Sequence, residues 1–184
     1  MESKSFPTIV TAVAMFAALG SVAVLAQGKY TVNIPDGLAF SEFIGYESWQ
    51  VVSVSHTVGK SEMSGEVLNV IIANPVMVEA YLSGIPGNGM PFPDGAKAAK
   101  IQYIPKKSEE APSDVVIPDR LRNVAFITKD SKRFANTNGW GYGAFSHDAA
   151  SDKFAPIGTG ATCGVKCHAI VKSKDYVFTS YQKR

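Results

Sequence analysis

The sequence predicts an α+β fold, a mainly antiparallel β-sheet with a few short helices in a single domain. Three observations carry this expectation. Short apolar runs rich in β-branched residues recur along the chain between turn-forming clusters, as strands do. Sixteen glycines and ten prolines in 184 residues leave no room for several long helices. The one segment with a matched helix start, apolar face and stop is only two to three turns long.

The N-terminus is read apart from the fold. Lys4 precedes an apolar run over 9–25, and Val24-Leu25-Ala26 offers small residues where a signal peptidase cuts. The expectation is a cleaved signal peptide over 1–26 and an exported mature domain over 27–184. An uncleaved membrane anchor is the alternative, since the run is about long enough to span a bilayer.

Within the mature chain, 31–43 is an entry segment with a turn at Ile34-Pro35-Asp36-Gly37. Alternation over 49–54 and the run EVLNVIIA over 66–73 predict strands, the second buried. Asn74-Pro75 is a helix start, an N-cap followed by proline in the first turn. Val76, Met77, Ala80 and Tyr81 form its apolar face, and Gly84 stops it.

Residues 84–95 are crowded with glycine and proline, which forbids regular structure. Their apolar Ile85, Met90 and Phe92 favour a packed wall. A strand follows over 97–104, with Ala99, Ile101 and Tyr103 on one face and Ala98, Lys100, Gln102 and Ile104 on the other. A solvated loop over 106–114 and two short strands, 115–117 and 124–128, come next. Glycine alternates with aromatics in Gly139-Trp140-Gly141-Tyr142-Gly143, leaving one bulky face and one open to close approach.

Charge excludes one class of function. Lys plus Arg number 18 against 16 Asp plus Glu, a net charge of +2 with no basic stripe, so nucleic acid is not an expected partner.

The chemistry concentrates in Cys163-Gly164-Val165-Lys166-Cys167-His168, a Cys-x-x-Cys-His pattern. That spacing suits covalent attachment of haem c, the two thiols adding to the vinyl groups and His168 ligating the iron. Zinc needs further ligands, yet these are the only cysteines and His56 and His147 are remote in sequence. A thioredoxin-type pair would follow an early strand in a βαβ unit, which is not the pattern here.

An electron carrier closes the sixth iron position with Met or His. Neither residue occurs after His168. Upstream, Met63 lies in a polar loop, Met77 on an apolar helix face, and His56 and His147 beside turns, which leaves Met90 as the candidate. The expectation is an open distal face, suited to binding ligands or doing chemistry. A plain electron carrier would require a six-coordinate iron.

Several motifs in order, Ile85-Pro86-Gly87-Asn88-Gly89, Pro91-Phe92-Pro93-Asp94-Gly95, Lys97, Lys100-Ile101, Lys129-Asp130-Ser131-Lys132-Arg133-Phe134, Gly139-Trp140-Gly141-Tyr142, the Cys-x-x-Cys-His motif and Lys174-Asp175-Tyr176-Val177-Phe178-Thr179, closely resemble the cytochrome P-460 family. The resemblance implies a periplasmic, mainly β, homodimeric haem protein that oxidises hydroxylamine to nitrogen oxides and passes electrons to a soluble cytochrome c. It also implies a lysine bonded to a haem meso carbon, here Lys100, with Lys97 as runner-up.

The family's oxidases use a distal glutamate as proton acceptor, and the matching position here is Ala125. A nearby carboxylate, Asp119 or Asp130, could stand in only with a shifted alignment. The related cytochrome c′-beta proteins bind nitric oxide or carbon monoxide in an apolar pocket without that oxidase role. Phe92, Tyr103 and Phe126 are the expected lining of such a pocket.

Overall fold

The computed structural model describes residues 28–35, 37–59, 65–157 and 161–182. The expected signal peptide, Asp36 of the entry turn and Met63 lie outside the described residues. Among those described, no helix is long and apolar enough to cross a membrane.

Among the described residues, six strands form one sheet in sequence order: β1 (Gln50–Thr57), β2 (Val67–Ala73), β3 (Lys97–Lys107), β4 (Val116–Lys129), β5 (Trp140–Asp148) and β6 (Lys153–Pro156). Every neighbouring pair is antiparallel, so the sheet is a simple meander. The helices α1 (Pro75–Leu82) and α2 (Ala161–His168) lie outside it. This is the expected α+β class.

Helix α1 starts where its residues require. Asn74 accepts from Met77 N at 3.1 Å through its side chain, and Pro75 needs no donor partner in the first turn. Its buried face is Met77, Val78, Ala80 and Tyr81. Val76, expected on that face, is 39% exposed, and Val78 takes its place.

The segments 115–117 and 124–128 are one strand, not two. β4 runs unbroken past β3, with register shifts between Gln102 and Tyr103 and between Ile104 and Pro105. Those irregularities absorb the paired prolines Pro105 and Pro118, which cannot donate to a regular ladder. The solvated loop lies at 108–115 rather than 106–114, because β3 continues to Lys107.

Each face of the sheet has its own cover. On one face the entry segment packs Ile34, Leu38, Phe40, Phe43 and Tyr46 against Ala99, Val124, Phe126 and Phe145. Phe43 stacks on Phe126 with ring centroids 4.1 Å apart, the geometry of an aromatic core. Of the entry segment's turn residues, Gly37 N donates to Ile34 O at 3.0 Å. On the other face α1, the Gly/Pro loop and β5 bury Met77, Tyr81, Phe92, Trp140 and Tyr142.

Candidate functional site: a cleft on the sheet below helix α2

Alternation along the strands sets the floor of the site. Registers place residues in rows across β2, β3 and β4: Asn69–Gln102–Asn123, then Ile71–Lys100–Ala125, then Ala73–Ala98–Ile127. All of these residues except Ala73 line a cleft of about 770 Å³ whose opposite side carries Cys167, His168, Val177 and Phe178. The size lies within the ~300–1,000 Å³ usual for small-molecule and cofactor sites.

Lys100 stands in the middle row of a central strand, directly across from Ala125. Its side chain is surrounded by the cleft walls, although the cleft mouth leaves it open to solvent. Desolvation lowers its pKa, against an opposing attraction from Cys167. Lys97 lies on the other face. It donates to Glu42 O at 2.8 Å, with its ammonium over the Phe43 ring.

The motif residues ride on α2. Gly164 packs against the Tyr142 ring of β5, which brings the helix close to the sheet. The His168 ring sits between Tyr142 and Phe178, with centroids 4.8 and 5.0 Å away. His168 Nδ1 lies 2.5 Å from the Tyr176 carbonyl. That contact assigns the proton to Nδ1 and leaves Nε2 as the lone-pair nitrogen, the tautomer a metal-ligating histidine needs. Burial lowers the His168 pKa; the Tyr176 hydrogen bond opposes this shift, while the Lys100 charge adds to it.

No Asp or Glu is among the described residues that line the cleft. Asp119 pairs instead with Lys106 at 3.3 Å, and Asp130 accepts from Lys132 N and Arg133 N in its own turn.

Other expected neighbours also lie elsewhere. Phe126 packs in the entry-segment core, and Phe92 is buried against Tyr81 and Trp140. Tyr103 does not line the cleft. The strand period puts the first of these on the far face, and the loop's own packing takes the second. Met90 is 59% exposed and away from the cleft, whereas Met77, read as core, is both buried and part of its lining. His56 and His147 do not reach the site; they bond Glu66 and Asp152.

A polar row was not anticipated. Gln102 Nε2 donates to Asn69 Oδ1 at 2.7 Å, and Asn69 Nδ2 donates to Thr57 Oγ1 at 3.1 Å. Gln102 is the residue two beyond Lys100 on the same strand face, so the period-2 reading contained the signal for it.

Among the described residues, no group of three or more His, Cys, Asp and Glu side chains could hold a bare metal ion. A cleft with a single imidazole offering Nε2 fits a prosthetic group that carries its own metal ligands.

The family model described as Cytochrome P460 matches residues 44–179. The chain belongs to the cytochrome P-460 family. The match covers the sheet, the cleft and the Cys-x-x-Cys-His helix together, and membership implies that this cytochrome P-460 relative binds haem. No curated protein matches the chain.

Proposed function

We propose that this member of the cytochrome P-460 family is an exported haem c protein that binds small nitrogen-containing ligands and oxidises hydroxylamine slowly. The observation that carries this reading is the direct pairing of Lys100 with Ala125 on a cleft floor lined by no carboxylate among the described residues. Bound haem supplies reversible ligand binding and one-electron redox chemistry at its iron.

The chain's residues divide the remaining work. Cys163 and Cys167 hold the haem through thioethers, and His168 ligates the iron through Nε2. Lys100, on the strand face that floors the cleft, provides the third covalent attachment. Val67, Ile71 and Ile127 supply apolar walls, while Gln102 and Asn69 hold a hydrogen-bonded polar edge. Electrons leave to a soluble cytochrome c, and the working form is a homodimer in the periplasm.

Ala125 cannot accept the protons that hydroxylamine must lose. A positioned general base is worth about 10²–10⁴ in rate. Steady-state oxidation with an artificial electron acceptor tests this directly. Wild type should turn over slowly, and Ala125→Glu should be at least about 10² faster. Equal rates in the two proteins would show that the missing carboxylate does not limit the chemistry.

The lack of a base also favours a second reading, a non-catalytic nitric oxide or carbon monoxide binder like cytochrome c′-beta. It predicts tight nitric oxide binding, no hydroxylamine turnover, and haem held by thioethers alone.

A further inference from the structure

Two consecutive non-glycine residues after α2 hold positive φ, Asp175 at 48° and Tyr176 at 64°. Side chains disfavour this region, and such strain persists only where surrounding contacts fix it. The contacts here converge on Asp175. Lys129 Nζ donates to its two carboxylate oxygens at 2.9 and 3.0 Å, and Phe92 N donates to Oδ2 at 2.8 Å.

Lys129 is itself fixed. It donates to Asn138 O at 3.2 Å and lies 5.0 Å from the Trp140 ring centroid. The pair is buried, its side chains 8% and 12% exposed. Burying two charges is costly, and replacing such a pair by apolar side chains is often neutral or stabilising. The Gly/Pro loop, β4 and the turn after α2 all meet at this carboxylate.

The turn delivers one group to the site. With Asp175 and Tyr176 left-handed, Tyr176 N bonds back to Val171 O and the Tyr176 carbonyl meets His168 Nδ1. A carbonyl accepting from Nδ1 orients an imidazole ligand and makes it more basic.

Resting on the reading of His168 as the iron ligand, we infer that the Lys129–Asp175 ion pair is a positioning device for that ligand. It holds the strained turn whose carbonyl sets the imidazole's orientation and donor strength. Neither residue touches the cleft. Loss of the pair lets the turn relax, lengthens the hydrogen bond to Nδ1 and weakens the iron–imidazole bond.

The test uses the haem-loaded protein, reduced with dithionite, and reads the iron–histidine stretch by resonance Raman spectroscopy together with the midpoint potential. Lys129→Met removes a positive charge and Asp175→Asn a negative one. A direct Coulomb effect therefore moves the potential in opposite directions, whereas a relaxed turn moves it the same way in both. We expect a lower stretching frequency and a raised potential in both variants, with Lys129→Arg nearer wild type. Asn at 175 keeps the size and the hydrogen bond from Phe92 N, so this variant reads charge without a packing defect.

Haem-loaded variants with the wild-type stretch, or potentials that shift in opposite senses, overturn the inference. An iron–histidine band that survives His168→Ala is a different failure: it removes the ligand assignment itself and the inference with it.

Discussion

Gly164 shows how tightly α2 is seated. A Cβ built there falls 2.3 Å from Tyr142 Cγ and 2.5 Å from Tyr142 Cβ, distances no packed structure tolerates. Tyr142 is 5% exposed and has little space to withdraw. Overpacking of this kind costs about 1–3 kcal/mol. Gly164→Ala is thus expected to lower the denaturation midpoint of the haem-loaded protein and its yield. An unchanged midpoint and yield would mean the helix seats without that contact. At this scale the sequence was partly legible. Cys-x-x-Cys-His is a local pattern, so its spacing can be read without a fold. The demand on Gly164 comes from Tyr142 across the structure, and the role of the Tyr176 carbonyl comes from a backbone atom that no residue type announces. Lys129 and Asp175 stood within recognised motifs, but nothing in those motifs said that they meet.

The elements read best where their signals are local. Asn74-Pro75 marked the start of α1, and alternation over 97–104 sorted Lys100 from Ile101 correctly between faces. β4 was read as two fragments because Pro118-Asp119-Arg120 breaks its pattern at an exposed, irregular stretch held by pairing with β3. β6 escaped notice because four residues contain no full alternation. The entry segment is tied down by an ion pair with chemistry of its own. Glu42 accepts from the Arg133 guanidinium and from Ala39 N at 2.8 Å. Burial alone would raise its pKa, but these donors outweigh burial and hold it below the usual glutamate value. The folded state therefore favours the carboxylate. The stability it contributes is fully present above the unfolded pKa and is lost as pH falls through the lower folded value. Denaturation midpoints followed down through the acid range should fall for wild type, with a shallower fall for Glu42→Gln. Parallel pH profiles for the two proteins would contradict this role.

For the molecule as a whole, the meander separates structure from chemistry by face. The entry segment fills one face with aromatic side chains, and the opposite face carries the cleft between its polar row and α2. Composition and turn spacing made the α+β class legible, because short strands and frequent Gly/Pro admit few alternatives. The cleft itself was not legible from periodicity. Which strand lies beside which, and in what register, depends on long-range pairing that a single sequence does not encode locally. The pairing of Lys100 with Ala125 below the cysteine-bearing helix is the outcome of that register, and the proposed function stands on it. Mass spectrometry of proteolytic peptides from the haem-loaded protein tests it most directly. The account predicts one haem joining the Cys163–Cys167 peptide to the peptide that contains Lys100. Haem recovered on the cysteine peptide alone, with an unmodified Lys100 peptide, would contradict it.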